Sequence, residues 1–551
     1  MKKVATESKR GLSKASIWNR LKGVFLHPYA SVSLAVAYVV SRGITQGELL
    51  SGDEPRHAMN GVFVRDCLVD RPWRNPLQYA YEYYAKYPAI SFPHWPPLFN
   101  FVESIYFLMF GISVWVSRLA VLSFALLAGY FWYRIAERQG PRSLALLSAF
   151  IFPLLPFMLQ FERTTMLEIP VLALCLGAIY YWLRFLQTER GGDLWRVAAF
   201  SAAALLTKQT AVFLVLFFGL HFVLERRFRL FRRWDVWCAV ATCMVVVLPW
   251  YLFSFRFMTI SYQRGIEGRF RDSAIGLDLT YYLKLLPQQL GLVLILLALA
   301  GFIWTLIRAR LRFQFLILWV ISCYLCFTLL QEKDIRHTIV WIPPLVYFAL
   351  LGVEAVVHNR RWASAACLVL AAWVLVRAIR FEAPKVIGVE NVARYVLSQP
   401  ESEIVYYQGA LNGDFIFSVR KLDPEKRHMV ARDKQVVATQ IVYARRTILN
   451  TPQEILTLFQ SWGIRYAVVD NREPSEDLET ALALFQSDQF ERIADFPIWS
   501  NSPQWRDVHL SVYRYRGELH RSNDLAIIPM MTIHNDISVD LKRLVGQRWP
   551  N

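Results

Sequence analysis

A chain of 551 residues that is 55% hydrophobic, 15% aromatic and only 19% charged is too apolar for a water-soluble protein of this length, which would carry about 25% charged residues. The apolar residues fall in runs of about 15–25, the length that crosses a bilayer, so composition points to a polytopic membrane protein. The net charge of +18 does not mark a nucleic-acid binder, because the basic residues cluster in short loops between apolar runs, as positive-inside sorting requires.

In chain order, the basic start MKKVATESKRGLSKASIWNRLKG is too polar for a cleaved signal peptide and reads as a cytoplasmic tail over 1–27. The first span is expected at 28–46, leaving the membrane at Gly47. The apolar run Leu98–Phe110 is about 13 residues long and contains Glu103, which suits a helix lying along the membrane surface better than a crossing. Further spans are expected near 113–133, 143–160, 169–186, 195–206, 210–224, 234–254, 288–307, 313–330, 338–354 and 362–379, about eleven in all. This path places the dense arginine clusters, including ERRFRLFRR at 225–233, in cytoplasmic loops. The first outer loop is then 47–112 and the membrane domain 28–380.

Seven cysteines lie at 67, 175, 238, 243, 323, 326 and 367, mostly inside apolar runs, and they form neither a disulfide framework nor a zinc pattern. After about residue 381 the composition turns polar. Short apolar strands are expected at Ile404–Tyr407, Met429–Ala431, Tyr466–Asp470, Phe490–Phe496 and His509–Tyr515. With helices near Val389–Ser398 and Thr451–Gly463, they predict a C-terminal α/β soluble domain, 381–551, on the non-cytoplasmic side. That domain has an accessory role, either acceptor recognition or structural support.

This topology gathers Asp53, Glu54, His94, Glu162, Arg163, Glu168, Lys208, Lys333, Asp334, Arg336 and His337 near the outer face. An enzyme there has no cytoplasmic nucleotide sugar to draw on; the activated donor at hand is a sugar on a membrane polyprenyl phosphate. Transfer needs a carboxylate to take the acceptor's proton, and cations to stabilise the departing lipid phosphate. Asp53 is the natural base, with Glu54 orienting it or the acceptor. Lys208, Arg336, Lys333 and Arg163 are the candidate phosphate partners. Simpler roles stand beside these: Asp53-Glu54-Pro55 as a helix start, Glu168 as the N-cap of a span, His94 and Trp95 as interfacial anchors, and Lys208 snorkelling to the headgroups.

The stretch GDEPRHAMNG (52–61) resembles the start of the first outer loop in GT-C glycosyltransferases of the protein O-mannosyltransferase and aminoarabinose-transferase type. HWPPLFNFVESIYFLMFG with Arg118, TTMLEIPVLAL (164–174), ALLTKQT (204–210) and KDIRHTIVWIPPL (333–345) follow in the same order. The resemblance implies inverting transfer from a polyprenyl-phosphate sugar to a protein, lipid or glycan acceptor, with Asp53 as base and Glu168 as a second acid. It also implies a multi-pass protein of the bacterial inner membrane with its site outside. Trp95 stands where many relatives have Lys, so His94 or Lys208 would take over that phosphate contact, and His337 stands where Tyr is common. Some relatives use a divalent metal and others none; His94 with Glu162 or Glu168 is the set from which such a site could be built. The rival class is a lipid flippase or transporter, whose intramembrane charges would line a path through the depth of the bilayer.

Overall fold

A computed structural model describes residues 28–550 apart from 51, 92, 273–277, 331–332, 442–443, 473–478, 523 and 531–534; for 257–272, 438–446, 479–480 and 535 it describes the backbone alone. The basic tail 1–27 lies outside the described residues, as does part of the segment between the spans expected at 234–254 and 288–307.

Helices dominate as far as residue 380. Those that frame the site are α1 (Pro28–Ile44), α2 (Glu54–Asp70), α3 (Pro76–Lys86), α4 (Leu98–Phe110), α5 (Val114–Ala136) and α6 (Glu168–Thr188). Among the described residues, six helices are long and apolar enough to cross a membrane: α5, α6, Trp234–Arg256, Arg310–Leu329, Ile335–Val356 and Arg360–Arg380. The count becomes eight if two bent pairs are each one span. One pair, Arg142–Leu154 with Pro156–Glu162, turns by 65° where a straight span was expected at 143–160. Pro156 removes a backbone donor and pushes Leu155 into an extended conformation, so a continuous helix cannot form. The other pair, Tyr281–Leu290 with Leu292–Arg308, turns by 117° at Gly291, whose φ of +80° is open to glycine. Leu98–Phe110 is a separate short helix, as its length required. Large apolar side chains on Trp234–Arg256 and Leu292–Arg308 face outward (Leu252, Phe255, Leu296 and Ile307 among them), the surface a lipid environment demands.

The C-terminal part is built on a six-stranded mixed sheet, order β1-β7-β8-β6-β2-β3. Its strands are β1 (Val386–Ile387), β2 (Ile404–Gln408), β3 (Met429–Arg432), β6 (Tyr466–Asp470), β7 (Phe490–Ser500) and β8 (Val508–Tyr515). β3, β2 and β6 run parallel; β8, β7 and β1 add to β6 in antiparallel fashion. Two-stranded ribbons, β4 (Ala438–Ile441) with β5 (Ala444–Thr447) and β9 (Ala526–Met530) with β10 (Asn535–Val539), lie outside this sheet. The expected strands and both expected helices are present, and Thr451 and Glu454 form a reciprocal capping box at the start of Pro452–Trp462.

The segment 47–112, expected as the first outer loop, and the C-terminal domain are locked together. Arg420 of the domain donates from Nε and Nη2 to the two oxygens of Asp66 on α2, at 2.8 and 2.9 Å, with 1% and 0% of the side chains exposed. Tyr83 Oη donates to the same carboxylate at 2.9 Å. The Glu48 carboxylate accepts from the backbone N–H groups of Gly388, Val389 and Glu390, capping the domain's first helix from the outer loop. Trp549, near the chain end, stacks on Tyr79 of α3 with ring centroids 4.9 Å apart. Removing one member of a buried pair strands the other charge, so Asp66→Ala should cost roughly 3–5 kcal/mol. Thermal unfolding and limited proteolysis of the full protein would reveal the released domain; an unchanged melting profile would mean that Asp66–Arg420 does not hold it.

Candidate active site

Gly52 has a φ of +107°, which turns the chain sharply into α2; Pro55 in its first turn has its φ preset for helix. Asp53 is the N-cap residue, but its side chain makes no capping hydrogen bond. Its carboxylate instead meets the Arg336 guanidinium, Oδ2 to Nη1 at 3.0 Å, across 283 positions of sequence. The two side chains are 22% and 27% exposed, so the pair is open to a ligand on one side. Helix capping therefore does not account for this acid.

Glu54, the adjacent carboxylate, has a different role. It is buried and ion-paired with Arg118 at 3.2 Å, and it accepts from the backbone N–H groups of Leu50 at 2.8 Å and Thr165 at 3.0 Å. Arg118 donates in turn to the carbonyls of Gln46 and Glu48, both at 2.8 Å. Glu54 thus fixes the loop that carries Asp53, with both of its oxygens engaged by protein groups.

Arg336 sits in a short 3-10 turn, Ile335–Trp341, whose N-cap Asp334 accepts from the Arg336 backbone and guanidinium, both at 2.9 Å. Its Nε lies 3.8 Å from Glu168 Oε1, and the same oxygen receives Lys208 Nζ at 2.5 Å. Glu168 opens α6, and Lys208 stands in the extended break before Gln209. Asp53, Arg336, Glu168 and Lys208, from four separated motifs, thus form one alternating string of charge. Lys208 Nζ also lies 5.8 Å from the Trp95 ring centroid, and Trp95 packs edge-on against His57 at 5.1 Å.

Burial pushes the carboxyl of Asp53 up, but its neighbours His57, Arg336, which also hydrogen-bonds it, and Arg56 hold the group below its ordinary value. Burial pushes the His57 imidazole down to about 4, against the pull of Asp53, so it is neutral near pH 7 and the two arginines keep Asp53 ionised. His94, also pushed down to about 4 by burial with Asp53 pulling it up, is neutral as well. Three buried polar atoms at this cluster have no protein partner: His57 Nδ1, Trp95 Nε1 and Glu168 Oε2. Buried polar atoms left open in this way are what a substrate would satisfy.

Not every expected residue arrives here. Arg163 donates to the carbonyls of Val39 at 2.7 Å and Phe381 at 2.8 Å, tying α1 to the end of the helix Arg360–Arg380; it is not a neighbour of Asp53. Lys333 donates to Leu330 O at 2.8 Å, apart from the acids. His337 stacks on Phe327 at 6.1 Å, its Nδ1 3.4 Å from Tyr282 Oη. The His94 backbone carbonyl accepts from Gln209 at 3.1 Å, anchoring the loop beside Lys208. His57 and Arg56 were not singled out from the sequence, although both lie within GDEPRHAMNG; Arg118 closed a quoted motif without being given a role. Among the described residues, no three His, Cys, Asp or Glu side chains converge as a metal site requires, and the acids at the cluster are matched by cations.

Residues 94–253 match the family described as dolichyl-phosphate-mannose-protein mannosyltransferase. The fold is similar to that of ArnT from Cupriavidus metallidurans bound to undecaprenyl phosphate, with a TM-score of 0.58 at 17% identity over 90% of this chain and 100% of that one. ArnT in its apo state gives a TM-score of 0.56 at 16% identity, covering 91% and 98% of the two chains. A more distant likeness is the Archaeoglobus fulgidus oligosaccharyltransferase in complex with Zn and sulfate, with a TM-score of 0.50 at 13% identity over 80% of this chain and 68% of that one. No curated protein matches this chain by sequence.

Replacing Arg336 by Gln removes the cation nearest Asp53, so the Asp53 carboxyl should titrate at higher pH than in the wild type. Infrared pH titration, with Asp53→Asn subtracted to isolate the band, would measure the shift. No shift would mean that Arg336 does not set the ionisation of Asp53.

Proposed function

We propose that this protein moves a sugar from a polyprenyl-phosphate donor to an acceptor hydroxyl at the outer face of the bacterial inner membrane, with inversion at the anomeric carbon. The supporting observation is the Asp53–Arg336 pair: an ionised carboxylate that caps no helix, joined through Arg336 to Glu168 and Lys208. The likeness to an ArnT structure that holds undecaprenyl phosphate supports a lipid-phosphate donor.

In this mechanism Asp53 accepts the proton of the acceptor hydroxyl as its oxygen attacks the anomeric carbon. The bond from that carbon to the phosphate oxygen breaks, and the polyprenyl phosphate leaves with the bonding electron pair. A carboxylate held at lowered pKa is a weak base, so the proton moves late, once bond formation has acidified the hydroxyl. Arg336 and Lys208 meet the charge developing on the phosphate; the guanidinium can exchange a carboxylate for a phosphate oxygen without losing its hydrogen bonds. As Arg336 turns to the phosphate, Asp53 loses its nearest cation and becomes a stronger base, so proton transfer is coupled to departure. Lys208, beside Trp95, serves where relatives carry Lys in the Trp95 position, and neutral His94 and His57 line the acceptor side.

Mass spectrometry of surface glycans and lipid-linked sugars, in cells with and without this protein, tests the reading. One acceptor should lack one sugar while the polyprenyl-linked form of that sugar accumulates. Identical profiles in both would refute the transferase assignment.

A further inference from the structure

The C-terminal domain presents to the Asp53 loop the edge at which open α/β sheets most often bind ligands, the crevice outside the carboxyl ends of parallel strands. β2 ends at Gln408 and β3 at Arg432, and the segments that follow them reach the first turn of α2. A Cβ on Gly413 would lie 2.7 Å from Pro55 Cβ, so the two parts are in direct contact. Beside that contact lies a cavity of about 200 Å³ lined by Arg56, Asn412, Gly413, Arg432 and Lys434, among others.

Its charged lining residues, Arg56, Arg432 and Lys434, are all cations. Among the described residues, no carboxylate lies within 4.0 Å of the cationic nitrogens of Arg56, Arg432 or Lys434. Arg432 donates from Nη1 to Pro88 O at 3.2 Å, while its buried Nε has no partner. The nearby acids are committed to backbone: Asp433 accepts from the N–H groups of Gly409 and Lys434, and Asp470 from those of Ala410 and Arg472. Elsewhere in this interface the cations have carboxylate partners, as Arg420 has Asp66 and Lys426 has Asp70. Three converging unpaired cations repel one another unless an anion joins them.

We infer that this cavity binds an oxyanion, phosphate or carboxylate, carried by the acceptor. Arg56 stands one helical turn from Asp53, so an acceptor held there by its anion would present a neighbouring hydroxyl to the base. The anion site stands on its own geometry; its assignment to an acceptor rests on the transferase reading above.

The full protein in lipid nanodiscs, saturated with undecaprenyl phosphate to fill the donor site, is titrated calorimetrically with inorganic phosphate. Phosphate should still bind. Arg432→Gln with Lys434→Gln should weaken that binding at least fivefold and leave undecaprenyl phosphate binding within twofold of wild type. Arg432→Lys with Lys434→Arg should keep it, separating loss of charge from misfolding. Wild-type affinity in the Gln variant, or no phosphate binding in the wild type, would overturn the site. Phosphate binding abolished by the lipid, or lipid binding lost in the Gln variant, would assign the cavity to the donor and overturn its assignment to the acceptor. Absence of sugar transfer by the wild-type protein would remove the enzymatic reading and leave the phosphate result standing.

Discussion

Arg336 is the hub on which this site depends. Its guanidinium faces Asp53, Asp334 and Glu168, and Glu168 carries Lys208, so one side chain ties the Asp53 loop to three later segments. Without it, Asp53 would be a half-buried carboxylate without its nearest cation, and such a group takes up a proton more readily. With it, Asp53 remains ionised at the mouth of the cluster. The arginine's planar fork suits the task because it can hold one carboxylate while offering another edge to a phosphate, which a lysine's point charge cannot do in the same geometry.

The scaffold around this hub keeps the loop from moving. Glu54 and Arg118 pin it from the membrane side, and Glu48 and Asp66 from the domain side. The two adjacent acids at the head of α2 therefore divide the labour: one is buried, with its oxygens committed to protein, and the other is left open. A buried, satisfied ion pair beside a reactive carboxylate is a means of preorganisation, because the reactive group then need not be ordered when substrate arrives.

Much of this was legible in the chain. Apolar run length gave the membrane character, and alternating apolar strands with one capping box gave the C-terminal sheet domain. The charged residues at the ends of apolar runs gave Asp53, Glu168, Lys208 and Arg336 as companions. What sequence could not supply was direction. Arg163 stands at a helix end as Lys208 does, yet its side chain turns back to the carbonyls of Val39 and Phe381. Nothing in the adjacency of Asp53 and Glu54 says which of them is open, since successive residues at a helix start point to different sides. The Asp66–Arg420 lock joins positions 354 apart, on a helix of which the sequence offered only a start at Asp53-Glu54-Pro55, and it was not foreseeable from spacing. The bend at Pro156 was foreseeable, because proline is a local signal; reading the run only for hydropathy hid it.

The central claim is that the carboxylate at position 53 removes a proton from the acceptor, and replacing it with an amide of the same shape isolates that chemistry. With Asp53→Asn protein in nanodiscs, transfer from a polyprenyl-phosphate sugar to an envelope acceptor fraction should fall by about 10²–10⁴-fold, with undecaprenyl phosphate still bound as in wild type. Transfer at the wild-type rate would contradict the account.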